Sequence, residues 1–268
     1  AALRGEPVDH VPLCSYPGLL PRGERERLLR NEGLGIFHRI GVLASESRNV
    51  TTTSTTYWEG GRQWIRTTFR TPVGEVTETL RTGGGYGTSL RCEFLIKRPE
   101  DYKSILFLLE DECYEPNYGP FLEAQEALGE DIILRAAIGL EPLQALISGH
   151  IMSMEDFCIE WMDRRDELLK LYEAIAANRR RVYPLIAESP AECVNYGGNV
   201  VAEVVGPEVF REYYVPHYNE AAEVLHARGK LIGCHFDGNC RLLAEAIAGT
   251  DLDYIEAFTP APDSDMTV

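Results

Sequence analysis

The chain has 268 residues, of which 44% are hydrophobic and 25% charged, and its formal net charge is −16 at pH 7. This composition is typical of a globular protein with one sizeable core. The acidic excess argues against binding to nucleic acids or anionic membranes, because contacts to phosphate need lysine and arginine. No apolar run reaches the roughly 18 residues of a membrane helix, so we expect no spanning segment.

The cysteines and the first residues predict a cytoplasmic protein. Residues 1–5 lack the apolar core of a signal peptide. The seven cysteines follow irregular spacings without a Cys-x-x-Cys pair, and an odd number without a signal peptide is typical of reduced thiols. The first residue is Ala1 rather than methionine, and we expect that further residues precede it.

The first part of the chain predicts a strand, a helix and a second strand. Residues 11–14 form a short apolar run after a turn, which predicts the first strand. Residues 23–30 are polar and helical in character. A poorly defined apolar run near Val42 supplies a further candidate strand.

A β-rich insertion is predicted from residue 50 to residue 90. This stretch is rich in threonine and aromatic residues, which favour strands. Residues 64–69 and 75–80 flank a Thr-Pro-Val-Gly turn, which predicts a hairpin laid over one end of the main domain. Residues 83–87 are glycine-rich but lack the lysine of a phosphate-binding loop, and we predict a flexible hairpin or lid there.

After Pro99 the chain alternates between predicted helices and strands. Apolar residues at helical spacing and Gly or Pro at the ends predict helices over residues 100–110, 121–128, 164–183, 206–228 and 242–248. Short apolar runs predict strands over residues 132–138, 193–195, 230–235 and 253–258.

This alternation indicates βαβ units and a parallel sheet. The fold class that we predict is α/β, a (β/α)₈ TIM barrel forming one domain over residues 1–268 with the insertion at residues 50–90. About six barrel strands can be counted, whereas a closed barrel needs eight. The sequence stops soon after a strand, so we expect that the chain lacks the last βα units at its C-terminal side.

Short segments along nearly the whole chain carry a family resemblance. They are residues 2–5, 9–12, 71–74, 98–102, 206–210, 215–218, 226–230 and 235–239. Their order and spacing resemble the uroporphyrinogen decarboxylase superfamily. The resemblance implies a barrel enzyme with one of two chemistries. One is decarboxylation of uroporphyrinogen without a cofactor, and the other is methyl transfer to or from cobamides, often with a zinc ion that activates a thiol.

The methyltransferase branch fits the residues better than the decarboxylases do. An octa-anionic porphyrinogen needs clustered arginines, and the resemblance implies an Arg-rich segment directly after the first strand. Residues 15–21 contain no basic residue, and the first is Arg22. Where the family decarboxylases carry an Asp, residues 42–49 contain Glu46 and no Asp. We therefore predict a methyltransferase that moves a methyl group between a small methylated substrate and a cobamide on a partner corrinoid protein.

His235 and Asp237 are the predicted catalytic residues. The resemblance implies a zinc-binding His-x-Cys, with a later cysteine that would fall beyond Val268. Here Asp237 replaces that first cysteine, and aspartate makes a harder ligand set than thiolate. Cys240 is a further candidate ligand, whereas Cys234 should point to the opposite face of the strand from His235.

Two alternatives to a zinc site stay open at this stage. His235 and Asp237 form a general acid–base pair at the barrel mouth, or Asp237 caps the helix that follows and His235 is structural.

Four further residues are candidates for substrate binding because each ends or follows a predicted strand. They are Glu141, Asn195, Tyr196 and Glu256. Glu141 with Pro142 also suits the first turn of a helix, and Tyr196 also suits a turn. His217 lies on an apolar helix face, and we expect it in the core.

The expected partners are a small-molecule substrate, a corrinoid protein and a second copy of the chain in a homodimer. Two other functions stay open. One is a decarboxylase for a tetrapyrrole or a smaller carboxylic acid, and the other is a non-catalytic barrel that binds a small molecule or a corrinoid protein.

Overall fold

The computed structural model describes residues 2–9, 12–83, 88–129, 132–200 and 202–267. Two predictions fall partly outside these ranges: the start of the first strand at residue 11, and residues 84–87 of the predicted lid. None of the helices within the ranges is long and apolar enough to cross a membrane.

Strands and helices are named in chain order. The strands are β1 (Cys14–Ser15), β2 (Gly35–Arg39), β3 (Leu43–Ser47), β4 (Thr51–Glu59), β5 (Arg62–Thr71), β6 (Gly74–Thr82), β7 (Ser89–Glu93), β8 (Glu112–Pro116), β9 (Ile132–Gly139), β10 (Cys193–Tyr196), β11 (Leu231–His235) and β12 (Tyr254–Glu256). The α-helices are α1 (Glu24–Asn31), α2 (Tyr102–Asp111), α3 (Gly119–Leu128), α4 (Pro142–Ser148), α5 (Met154–Asp163), α6 (Arg165–Ala187), α7 (Ala202–Tyr213), α8 (Val215–His226) and α9 (Ala244–Ala248).

The main sheet is parallel and curls into a half-barrel. Its six strands lie in the order β1-β2-β9-β10-β11-β12, so each strand pairs with the next parallel strand along the chain. All four residues of β10 are buried, as expected for a parallel strand covered on both faces. The prediction of a mixed α/β fold with a parallel sheet is therefore confirmed.

A strand begins beside Val42, as predicted, but it is β3, which pairs with β8 in a two-stranded sheet and is not part of the main sheet. The strand that joins the main sheet is β2, which ends at Arg39, and its Ile36 to Arg39 pair with the start of β9. Val42 is a buried residue of the following loop, where its carbonyl accepts a hydrogen bond from Asn117 N at 2.8 Å. The histidine and arginine in β2 obscure its strand pattern, so the sequence alone does not indicate this strand.

The single helix predicted over residues 206–228 is also wrong. Two helices, α7 and α8, occupy this stretch and are separated at Tyr214. Pro216 lies in the first turn of α8, where the missing N–H of proline costs nothing. In the interior of a longer helix it would remove a hydrogen bond. Gly206, predicted as the helix start, has a φ of 69° and instead kinks α7 near its beginning.

The chain divides into two compact units. The first comprises residues 1–44, 114–141 and 180–268, and the second comprises residues 45–113 and 142–179. The second unit contains the antiparallel sheet β4-β5-β6-β7, in which β5 and β6 form the predicted hairpin. The main parallel sheet belongs to the first unit. The prediction of a single domain over the whole chain stays a prediction.

An aromatic cluster packs behind the main sheet in the first unit. Phe210 of α7 contacts Tyr214, Tyr218 and Phe236, with ring centroids 5.2, 6.1 and 6.2 Å away. All four side chains are fully buried. Because α8 also packs against β11, this cluster fixes the helix layer against the strand that carries His235.

Replacement of Phe210 by alanine should strongly destabilise the fold. The change removes a fully buried ring, so we expect a loss of about 3–5 kcal/mol in the free energy of unfolding. Urea denaturation followed by circular dichroism measures the loss. Leu242→Ala is the control, because the side chain of Leu242 is 59% exposed and its loss should change stability by less than ~0.5 kcal/mol. Equal effects of the two changes would contradict the packing described here.

Candidate functional site

A polar cluster joins four neighbouring strands of the main sheet. It contains Arg135 of β9, Asn195 of β10, His235 of β11 and Glu256 of β12. Arg135 donates from both terminal nitrogens to the two carboxylate oxygens of Glu256, and its Nη1 also donates to Asn195 Oδ1 at 2.9 Å. Asn195 and His235 are at or next to the ends of their strands, where a parallel barrel places its chemistry.

The Arg135–Glu256 ion pair is buried. Arg135 is 4% exposed, and its guanidinium lies over the ring of Phe37, 4.1 Å from the centroid. Tyr16, which follows β1, donates its hydroxyl to Glu256 Oε1. Burial by itself would raise the pKa of Glu256, but hydrogen bonds from His235, Arg135 and Tyr16 hold it well below its usual range. Glu256 is therefore a carboxylate at neutral pH.

His235 lies between two carboxylates. Its Nδ1 is 3.5 Å from Glu256 Oε2, and its Nε2 is 3.4 Å from Asp237 Oδ2. The hydrogen bond to Glu256, together with the charges of Glu256 and Asp237, raises the pKa of His235 against the opposing effect of burial. The side chain is 27% exposed, so the protonated ring remains within reach of a ligand. This arrangement can donate a proton near neutral pH.

Arg135 and Tyr16 were missed by the sequence analysis. Arg135 interrupts an otherwise apolar strand, and a charged residue in such a strand signals a buried ionic partner. That signal was present, but it does not identify Glu256, which lies 121 residues further along the chain. No feature of the sequence indicates that Tyr16 belongs to the site, apart from its position after the first strand.

Glu141 and Tyr196 are not part of this polar cluster. Tyr196 follows Asn195 and therefore points to the opposite face of β10, where its hydroxyl contacts that of Tyr183 at 2.9 Å. Glu141 is also fully buried and accepts a hydrogen bond from Tyr218 of α8. Neither side chain exposes surface to a ligand, so their predicted contact with substrate gains no support from the geometry.

Among the residues that the structure describes, His235 and Asp237 do not belong to a complete zinc site. The described ranges contain no group of three or more His, Cys, Asp or Glu side chains placed to hold a metal, whereas catalytic zinc sites use three protein ligands. Cys240 is fully buried, and burial with nearby acidic groups raises the pKa of its thiol to about 11. Zinc binding by His235 and Asp237 stays a prediction, and we assign no chemical step to a metal.

The alternative that Asp237 caps the following helix is wrong. The first turn after it is a short 3₁₀ helix that begins at Arg241. The backbone N–H of Arg241 donates to Asp265 Oδ1 at 3.1 Å. Asp237 instead faces His235.

A cavity of about 1120 Å³ adjoins the polar cluster. Several of its lining residues are the first residues of their strands, namely Cys14, Ile132, Cys193, Leu231 and Tyr254. The cavity reaches Glu256, but His235 does not line it. Glu256 therefore lies between the cavity and the imidazole. The volume is sufficient for a small organic ligand.

Glycine at position 233 leaves room for the ring of Tyr254. Gly233 of β11 pairs with Tyr254 of β12, and a Cβ at position 233 would lie 2.3 Å from the Tyr254 ring. The ring thus crosses β11 where no side chain obstructs it, and its hydroxyl donates to Val194 O at 2.9 Å. This contact holds β12, and with it Glu256, against the neighbouring strands.

Comparison of the chain with protein-family models and with the sequences of characterised proteins finds no match. The resemblance to the uroporphyrinogen decarboxylase superfamily therefore stays a prediction.

Asp237→Asn should lower the pKa of His235, because it removes one of the two carboxylates that favour the charged ring. Asp237 is 48% exposed, so we expect the fold to be unchanged. Titration of the imidazole resonances by NMR measures the change. His226, which pairs with Asp253 outside the cluster, is an internal control whose resonances should be the same in both proteins. A His235 titration identical to that of the wild type would contradict the proposed pairing.

Glu256→Gln should destabilise the fold by about 3–5 kcal/mol, because it leaves the buried Arg135 without its counter-charge. Since the pKa of Glu256 is lowered by folding, its contribution is present above the ordinary glutamate pKa and is lost as the pH falls toward the folded value. The wild type should thus lose more stability between pH 7 and acidic pH than the variant does. Urea denaturation at several pH values measures both effects. Glu245→Gln is the control, as Glu245 is 95% exposed.

Proposed function

We propose that this chain is a methyltransferase of the uroporphyrinogen decarboxylase superfamily, and that its parallel sheet is part of a (β/α)₈ barrel. The reaction moves a methyl group between a small methylated substrate and a cobamide bound to a partner corrinoid protein. The observation that carries the proposal is the partly exposed His235, held between Glu256 and Asp237 at the end of β11.

The strand order supports the barrel. In a doubly wound open sheet the order reverses at a switch point, whereas a barrel adds each parallel strand beside the preceding one. The six strands from β1 to β12 follow the second pattern without reversal. His235 and Glu256 are the last residues of β11 and β12, at the edge where barrel enzymes bind their substrates.

His235 supplies acid–base chemistry to this reaction. When a methyl group leaves an oxygen, nitrogen or sulfur atom, the bonding electron pair stays on that atom. The imidazolium of His235 can then protonate it, as a general acid. In the opposite direction the neutral ring takes the proton from the methyl acceptor. Glu256 and Asp237 favour the charged ring, so the acid role predominates near neutral pH.

Decarboxylation of a smaller carboxylic acid is the second candidate. The observation in its favour is the same protonated His235, which could donate a proton to the carbanion left by carbon dioxide. Arg135, however, is already paired with Glu256 through both terminal nitrogens. It is therefore not free to grip a substrate carboxylate.

The test is anaerobic incubation of the chain with free cob(I)alamin and, in turn, methanol, trimethylamine, dimethyl sulfide and a methoxybenzoate. We expect methylcobalamin to form from one class of donor, as measured by its absorbance. His235→Gln should reduce the rate by about 100-fold or more, because general acid catalysis contributes roughly that much. His226→Gln is the matched control: its ring also pairs with an aspartate but lies outside the cluster, so the rate should be retained.

Two outcomes would overturn the proposal. One is the absence of methyl transfer from every donor class, and the other is a wild-type rate in His235→Gln. Release of carbon dioxide from uroporphyrinogen or a small carboxylic acid would establish the second candidate instead. Ligand binding without turnover in either assay would indicate a non-catalytic barrel.

The rate of methyl release should fall as the pH rises through the pKa of His235, because the general acid is then lost. The midpoint of this decrease should lie at a pH above the ordinary pKa of histidine, since the neighbouring carboxylates raise the pKa of His235. In Asp237→Asn the midpoint should move to lower pH. The rate profile of both proteins between pH 5 and 9 measures the shift, and coincident profiles would contradict the role of His235.

A further inference from the structure

We propose that Glu141, together with Tyr218 and Cys234, is a positioning unit that holds His235 in place from behind the sheet. The inference rests on the proposed role of His235. It gives Glu141 a task other than the substrate contact that its place after β9 predicted.

The three side chains meet in a fully buried cluster. Tyr218 OH and Cys234 Sγ both donate to Glu141 Oε1, the second at 3.3 Å, and Gly198 N donates to Glu141 Oε2 at 3.3 Å. Each side chain has no exposed surface. No ion pair joins Glu141 to a basic residue within the described ranges. Glu141 thus interacts with neutral donors only.

Two routes connect this carboxyl group to His235. Cys234 immediately precedes His235 in β11, so its bond to Glu141 fixes the strand on the side away from the imidazole. The turn after β10 provides the second route. Gly198 N is held by Glu141, and the N–H of the next residue, Asn199, donates to the backbone oxygen of His235 at 3.2 Å.

The turn has glycine at positions 197 and 198, where a larger side chain would collide with Glu141 or crowd His235. Gly197 has a φ of +64°, and a Cβ there would lie 1.8 Å from Glu141 Oε1, so the carboxyl group occupies the space of a side chain. A Cβ at Gly198 would lie 3.1 Å from the Cβ of His235. The turn therefore packs directly between Glu141 and His235, and a shift of one displaces the other.

Energetics argue against a purely stabilising role for Glu141. Removing a carboxyl group from water is costly, and apolar packing of the same volume usually serves stability better. Burial raises the pKa of Glu141, against the hydrogen bonds that it accepts. Buried groups that are perturbed in this way concentrate at functional sites. Because Glu141 touches no open surface, its contribution must act through the residues that it holds.

The test compares two variants in each of which a buried tyrosine loses its hydroxyl oxygen. Tyr218→Phe removes the hydroxyl bonded to Glu141, whereas Tyr183→Phe removes one bonded to Tyr196. We expect Tyr218→Phe and Glu141→Gln to displace the imidazole resonance of His235 in NMR spectra at constant pH. Both should lower kcat by up to about 100-fold, since small misplacements of a catalytic group have effects of that size. Tyr183→Phe should change neither.

A conservative pair at position 234 provides a second comparison. Cys234→Ser keeps a donor for Glu141 and should retain kcat, whereas Cys234→Ala removes it and should reduce kcat. Thermal unfolding of each variant shows how far stability alone accounts for the changes.

The inference is overturned if Tyr218→Phe behaves as Tyr183→Phe does in both measurements. It is also overturned if the variants lose thermal stability while the His235 resonance stays in place. Should Glu141→Gln not fold, Tyr218→Phe and the position 234 pair decide the question. The NMR readout needs no turnover, so failure of this inference and failure of methyl transfer are distinguishable.

Discussion

The pairing of Arg135 with Glu256 is the constraint on which the rest of the site depends. It joins β9 to β12 across β10 and β11. Asn195 of β10 contacts Arg135, and His235 of β11 contacts Glu256. Two charges removed from water are stable only when each finds its partner in good geometry. Arg135 thus couples β9 directly to β10 and β12, and β11 is coupled to them through the contact between Glu256 and His235. Glu256 then has a fixed orientation from which it can act on His235.

The polar side chains of this unit form two separate clusters, one on each face of the main sheet. On one face, His235 lies beside Glu256 and Asp237, partly open to a ligand. On the other, Glu141 is enclosed with Tyr218 and is closed to solvent. Alternation along β11 assigns adjacent residues to these separate environments. One strand therefore carries both His235 and, on the opposite face, the contact between Cys234 and Glu141.

Much of the fold could be predicted from the sequence, because strand and helix periodicities are local. The parallel sheet, the hairpin and the strand that ends at His235 follow from such patterns. The grouping of Asn195, His235 and Glu256 was also predictable, since all lie at strand ends. The sequence does not show that Tyr196 and Glu141 lie outside this group. The face on which a side chain lies depends on the strand register and on the turn that follows. No local sequence pattern indicates that two residues as distant as Arg135 and Glu256 form a pair.

The sequence separation of 121 positions between Arg135 and Glu256 also bears on how the site is assembled during folding. Contacts between distant segments are established late, because the intervening loop must first be closed. Until β12 docks, Arg135 retains its water and His235 lacks the neighbour that favours its proton. Before β12 is in place, His235 would therefore be without the hydrogen bond and the charge of Glu256 that raise its pKa. The raised pKa of His235 therefore depends on the docking of β12 and not on the formation of β11 alone.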